Sequence, residues 1–563
     1  MNFKYLMMTA ALFALGCSSS NEKKDAALTD SAATYTSAVP HDTPYTMAAV
    51  DPIPVGLILD KVAGITNTYT ELLNSIEPMV NDPSSSDDER KVFAVMRELG
   101  DLFTREGMER SGLSMNPRSV VWGLGILPAM KLDIADAEKF KAFITRLETA
   151  AGMTAIDAKL GQYEYKVHTV DDLMIPYAVQ GNTFVFGVTL EKTAALYLPY
   201  LLGEKRPERS LNDSNSLEIL KQKYGFLGVG IGFLDLQRVV SILAREGDDI
   251  HVQITQALMT NAPPVETVCV NEFKAIAANY PRIILGYEKF DETGMRVTMG
   301  HEMTNGFGGM LAGTKTSIPG YDTEFSKESM FKAGFGFNVG ALSQVVIGKA
   351  AEVANAPYQC PDLMGLNEVA GQIAAAGMFL PPVVSQIEGG SLVVKDVQIP
   401  EESAVPQGPD GSMAGPTTDP LVANAVAMIA SADAPTLFES IKMMAPELAQ
   451  FIIASDGVPV RIDAESVTQN VKDVYLALRP NRIGVSVGEG NQNIMADALQ
   501  STSTTATPWA SLTYDIKKFG ELVAGSEPEL QTLKTIFDQG VLVVDLNPTE
   551  DGIFVTYDQA FAP

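Results

Sequence analysis

Five times along this chain, a short apolar run ends in Asp or Asn and the apolar spacing then changes from alternate positions to a helical stripe. After Asp51 the stripe is Val55, Ile58 and Leu59. After Asp136 it is Phe140, Phe143 and Ile144, and after Asp235 it is Val239, Ile242 and Leu243. After Asn338 it is Leu342, Val345 and Val346, and after Asp515 it is Phe519, Leu522 and Val523. A change of period from 2 to 3.6 marks a strand giving way to an amphipathic helix, and an Asp or Asn at the junction can accept the free N–H groups of the first turn. Pro52 suits the first helical position after Asp51. These residues therefore read as helix caps before they read as catalytic acids.

The same units recur in the same order along two halves. Asp51 pairs with Asn338, and Asp136 with a weaker unit at Asp433 whose helix carries Leu437 and Ile441. The hairpin Tyr177 to Phe186 pairs with Tyr475 to Val485, Asp235 with Asp515, and Gly294 to Met299 with Gly552 to Tyr557; all five offsets are about 260 to 300 residues. The expectation is an α+β protein of two duplicated halves, 43–325 and 326–563, each a largely antiparallel sheet covered by helices. Tight turns are expected at Gly181-Asn182, Pro480-Asn481 and Thr293-Gly294. Further helices are expected over Val55 to Met79 and from Asp87 to Glu109, the latter opened by the capping box Ser86 to Glu89. Gly225 to Gly232 reads as a closely packed strand, and Glu401 to Pro420, rich in Pro, Gly and Ser, as an exposed loop within the second half.

Composition limits the partners. The 563 residues carry 41 Lys plus Arg against 69 Asp plus Glu, a net charge of -28, so nucleic acid is an unsuitable partner for the folded body. The first four residues include Lys4, and Tyr5 to Leu15 is an apolar run of signal-peptide length, too short to span a bilayer. Val369 to Val384, the most apolar stretch elsewhere, contains Gln372 and Pro381-Pro382 and is also too short. From Ser18 to Asp42 the chain offers almost no large apolar residue, and 17–42 reads as a flexible tether. Beyond Cys17 the only cysteines are Cys269 and Cys360, an even number that suits an oxidising compartment. A disulfide between them would close a loop worth about 4 kcal/mol and join the end of the first half to the start of the second. Two buried free thiols are the alternative.

The candidate chemistry is thin. Gly484-Val-Ser486-Val-Gly488 fits a nucleophile elbow, but no histidine follows His301, and Ser486 sits where Ile483, Val485 and Val487 alternate as a strand. Gly334-Phe-Gly336 loosely fits a dinucleotide-binding turn, yet Glu352 would fall inside the following helix. His41, His168, His251 and His301 are isolated, without metal-ligand spacing, and His168 and His301 fall on expected strands. The acidic stretches Asp82 to Glu89 and Asn547 to Gly552 lack the alternating ligands of a calcium loop. No catalytic residue, metal site or cofactor is assigned.

Ala14-Leu15-Gly16-Cys17 resembles the bacterial lipoprotein signal box. That resemblance implies removal of residues 1–16, lipidation of Cys17 as the mature N-terminus and, through Ser18, passage to the outer membrane. Five phrases resemble an uncharacterised family of bacterial envelope proteins, often lipoproteins: Val39 to Tyr45, Gly123 to Pro128, Leu201 to Gly203, Cys360 to Asn367 and Ser455 to Val460. The expectation is a lipid-anchored envelope protein, facing the periplasm or the surface, with a non-catalytic binding or structural role and an envelope protein or an apolar ligand as partner. A periplasmic carrier or sensor of an apolar ligand, such as a lipid or a cell-wall fragment, is the alternative. A hydrolase with an unlocated site comes third.

Overall fold

The computed structural model describes residues 35–61, 63–377, 381–398, 422–462, 473–501, 507–526 and 540–561. Cys17 and the loop Glu401 to Pro420 lie outside them. The chain forms two compact units, Met1–Glu302 and Met303–Ala562, both of mixed α+β architecture built on antiparallel pairing. Residues 303–325, assigned to the first half from sequence, pack within the second unit, where Phe325 joins a core with Val393, Val426 and Met428.

The first unit contains β1 (Tyr45–Ala49), β2 (Ser119–Leu124), β3 (Leu127–Asp133), β4 (Ile156–Leu160), β5 (Tyr163–Val170), β6 (Leu173–Gln180), β7 (Thr183–Gly187), β8 (Thr189–Leu190), β9 (Ile231–Asp235), β10 (Arg282–Asp291) and β11 (Gly294–Glu302). Their order across the sheet is β11-β10-β9-β1-β2-β3-β7-β6-β5-β4, with β8 also paired to β6. One face packs on the helix Ala137–Ala151, through Phe140, Phe143, Ile144 and Leu147 against Met130, Leu132, Phe184 and Phe186. On the other face lies the helix Glu191–Leu202, whose Tyr197 hydroxyl donates to the Pro128 carbonyl.

The second unit contains β12 (Phe331–Phe335), β13 (Ile387–Gln398), β14 (Val422–Ser431), β15 (Val460–Ile462), β16 (Val474–Arg479), β17 (Arg482–Val487), β18 (Ala510–Asp515), β19 (Val541–Thr549) and β20 (Gly552–Ala560). Their order is β20-β19-β18-β12-β13-β14-β17-β16-β15. Side chains alternate across a strand, so Ala477 and its neighbours Leu476 and Leu478 serve opposite faces. Ala477 joins Met495, Ala498 and Leu499 of the helix Asn491–Gln500. Leu476 and Leu478 join Leu437 and Phe438 of the helix Ala434–Met444.

Four of the five junction residues cap helices. The Asp136 carboxylate accepts from the N–H groups of Glu138 and Lys139, Asp235 from Arg238, Asn338 from Ala341 and Asp515 from Lys518. Asp433 likewise accepts from Thr436. Asp51 is the exception, and Pro52 is not a first helical residue. The helix starts at Val55, because Pro54 disfavours the helical region at Ile53.

Other boundaries also differ from expectation. Within the span expected to be helical, Val55 to Met79, the described residues Val55–Lys61 and Ala63–Val80 are helical. The capping box at Ser86 opens Asp87–Gly100, but Thr104 caps a separate helix, Arg105–Ser111, instead of one helix running to Glu109. The β10-β11 turn residues are Glu292-Thr293, since Asp291 pairs with Gly294. Within Gly225 to Gly232 only Ile231 and Gly232 are strand; Gly225 ends the helix Ser216–Tyr224 with a φ of 72°, a conformation glycine adopts at no steric cost.

The expected tether does not reach Asp42. From Tyr35 the chain is docked on the first unit: Tyr35 and Val39 are buried, the Leu211 N–H donates to the Val39 carbonyl at 2.8 Å, and Pro40 bridges Ser210.

Candidate functional site

Cys269, on the helix Thr267–Asn279, and Cys360, just before the turn Pro361–Leu363, are buried and disulfide-bonded. Among the described residues, no helix is long and apolar enough to cross a membrane. Ser486 lies mid-strand in β17, fully buried between Val426 and Tyr475 on the neighbouring strands, and is not on a strand-to-helix elbow. Gly334 is a strand residue of β12, and Glu352 falls within the helix Val339–Asn355 that follows, so the glycines do not open a phosphate-binding turn. His301 lies on β11, its ring edge-on to Tyr280 at 5.8 Å.

Three buried or half-buried polar clusters in the first unit were not visible as motifs. In the first, His168 Nε2 lies 2.9 Å from Glu148 Oε1, and the Tyr177 hydroxyl donates to the same oxygen. Burial raises the Glu148 carboxyl, but the hydrogen bonds from His168 and Tyr177 outweigh it and hold the group below the usual range.

In the second, Asp42 receives Arg238 Nη2 at 2.7 Å and faces His251 Nε2 at 3.3 Å. The same Arg238 nitrogen reaches Asp249 at 2.6 Å. The Gly125 N–H donates to His251 Nδ1 at 3.0 Å. Burial raises the Asp42 carboxyl; the contacts with His251 and Arg238 overcome this and bring it down to about 2. In the third, Glu302 accepts from Arg282 Nε and the Tyr224 hydroxyl, both at 2.6 Å. In every case the carboxylate is matched by donors from other elements of the same unit, an arrangement that holds strands and helices in register.

A different kind of site lies on the second unit's sheet. Register aligns Val544, Leu512, Ala333, Leu392 and Ala427 in one row across β19, β18, β12, β13 and β14. Leu546, Ala510, Phe335, Gly390 and Ile429 form the next row on the same face. The helix Ala434–Met444 covers one end of that face, where Ile429 meets its core. Over the remainder runs a groove of about 570 Å³, with Leu392 and Leu512 each 41% exposed. Small residues at Ala333, Gly390, Ala427 and Ala510 form its floor, while Phe335, Leu392, Leu512 and Leu546 stand higher. Strand spacing makes it about 19 Å across the five strands.

Among the described residues, no titratable side chain lines the groove. Its two serines turn away, Ser391 donating to the Pro319 carbonyl at 2.5 Å and Ser511 to Asp545 at 2.6 Å. Such a surface can hold apolar matter. The sequence reading missed it, because strands distant in the chain contribute alternate residues. The signal available was the small-large alternation Ala333-Gly-Phe335 and Ala427-Met-Ile429.

No family model matches this chain, and no curated protein or solved structure matches it.

Proposed function

We propose that the folded body binds without catalysing, and that the apolar groove across β19, β18, β12, β13 and β14 is where it binds. The observation that carries this reading is the row Val544, Leu512, Ala333, Leu392 and Ala427, contiguous, apolar, partly exposed and free of titratable neighbours in the lining. Of the two forms of a binding role, a surface for another envelope protein or a pocket for an apolar ligand, the groove favours the ligand. An acyl or isoprenoid chain gains about 0.8 kcal/mol for each methylene it buries, so a groove of this length supports useful affinity without polar contacts. The reading is of a carrier or sensor of a lipid-like molecule.

The proposal extends to location and origin. The Ala14-Leu-Gly-Cys17 box supports a lipid anchor at Cys17 in the cell envelope, in the outer membrane by the Ser18 rule, and the disulfide suits that oxidising compartment. The likeness of five phrases to a family of envelope proteins is in keeping with it. Two related halves are supported by the sheets: removing β4 and β8, each without a counterpart, leaves nine strands in one order in both units. Gly294 and Gly552, each opening the last strand, also share an unusual φ, 157° and 152°.

The test is titration with a fluorescent fatty acid. Saturable binding that Ala427→Phe weakens about tenfold, with the circular dichroism spectrum unchanged, supports the reading. Binding indifferent to groove-filling substitutions contradicts it. Metabolic labelling with palmitate, lost in Cys17→Ser, tests the anchor separately.

A further inference from the structure

A second apolar groove lies at the tip of a helical hairpin in the first unit. The helices Ala63–Val80 and Asp87–Gly100 run antiparallel, tied by the Tyr69 hydroxyl donating to the Met96 carbonyl at 2.8 Å and by Arg97 facing Glu77 at 3.5 Å. Towards the tip they part into a groove of about 810 Å³. Its walls are Ile76, Met79 and Val80 on one helix and Val92, Phe93 and Met96 on the other, and Met79 is 70% exposed.

The charged residues lining it are acidic. Among the described residues Asp82, Asp88 and Glu89 line the groove, while Arg90, which donates to the Asp82 carbonyl at 3.3 Å, and Lys91, paired with Asp87, stand outside the lining. Two of these carboxylates are held ionised by local geometry. The Ser84 hydroxyl and N–H donate to Asp82 and bring its carboxyl below the usual range, and the Ser86 N–H and hydroxyl do the same for Glu89.

From this combination we infer that the hairpin tip is an interaction surface for a basic amphipathic helix of a partner protein. The apolar walls take the ridge of a third helix as helices take one another's ridges, with Met79 and Met96 adapting to its side chains. The acidic rim selects the flanks of that helix: Lys or Arg on either side of the apolar stripe meets Asp82, Asp88 and Glu89. The same rim repels an anionic membrane surface, which sets a protein helix above a bilayer as occupant.

The experiment uses the full chain and a labelled peptide of Leu and Lys patterned as an amphipathic helix, read by fluorescence anisotropy at low and physiological salt. A scrambled peptide of the same composition and a Leu/Glu helix are the controls. The expected result is binding of the patterned basic peptide about tenfold tighter than the scrambled one, weakening as salt rises. Asp82→Asn with Asp88→Asn and Glu89→Gln should weaken it about tenfold and flatten the salt dependence, while Gln at position 89 keeps the capping geometry. Met79→Ser, at an exposed position that leaves the hairpin folded, should weaken it several-fold with the salt dependence intact. Equal binding of patterned and scrambled peptides, binding unchanged in both variants, or no binding would overturn the proposal. The first two outcomes would reduce it to diffuse attraction by the -28 charge of the chain.

Discussion

Glu148, on the helix Ala137–Ala151, and His168, on β5, meet at 2.9 Å in the core of the first unit, both buried. Two elements separated in the chain are thereby joined by a polar contact beside the aromatic core, with the His168 ring stacked on Tyr177, which in turn meets Phe184. The Tyr177 hydroxyl completes the cluster.

Glu148→Gln should cost about 2 kcal/mol in urea unfolding at neutral pH, since a charge-assisted acceptor is lost while the side chain's shape is kept. The Glu148 carboxyl is lower in the folded state than its ordinary 4.5. Its contribution is therefore fully present above that value and is lost as pH falls through the lowered folded one. The gap between wild type and variant should narrow on acidification; a gap that is constant down to the acid limit would contradict the assignment.

Asp42 fastens the docked segment that begins at Tyr35. Asp42→Ala removes one of the two carboxylates on Arg238 and the one facing His251, and should cost about 1.5 kcal/mol, with faster limited proteolysis between Tyr35 and Asp42. Because the folded carboxyl lies at about 2, against an ordinary 3.8, this stabilisation should be fully present above about 3.8 and be lost as pH falls from there through about 2. Equal proteolysis rates for the variant and wild type would show that the segment is held by Tyr35 and Val39 alone.

Asp136 and Asp51 look alike in sequence and differ in the fold, which makes them a matched pair. Asp136→Ala should cost about 1 kcal/mol through its lost cap. Asp51→Ala removes only a 3.7 Å contact with Lys221 between exposed side chains and should stay within about 0.5 kcal/mol. Equal costs would mean that one of the two roles is misassigned.

The pair also shows where the sequence was legible. Caps at Asp136, Asp235, Asn338 and Asp515 and the hairpins at Gly181-Asn182 and Pro480-Asn481 rest on neighbours in the chain, and local chemistry was enough to read them. Asp51 went astray because Pro52 could open a helix, while Pro54, two residues on, restrains Ile53. The buried clusters were hidden by distance: His168 seemed isolated because Glu148 and Tyr177 stand on other elements. A clue was present in the helix itself, where Glu148 follows Ile144 by four residues on the face of Phe140, Phe143 and Leu147. A carboxylate in an apolar stripe demands a buried partner. The groove was less legible still, since each strand of β12, β13, β14, β18 and β19 supplies two or three residues and only the register puts them in rows.

Native mass spectrometry of the protein isolated from its native source in mild detergent tests the central claim most directly. A binding role centred on the groove predicts a discrete added mass of lipid-like size, diminished in Ala427→Phe. A bare protein under conditions that preserve a known lipid complex, or an added mass that Ala427→Phe leaves untouched, would contradict it.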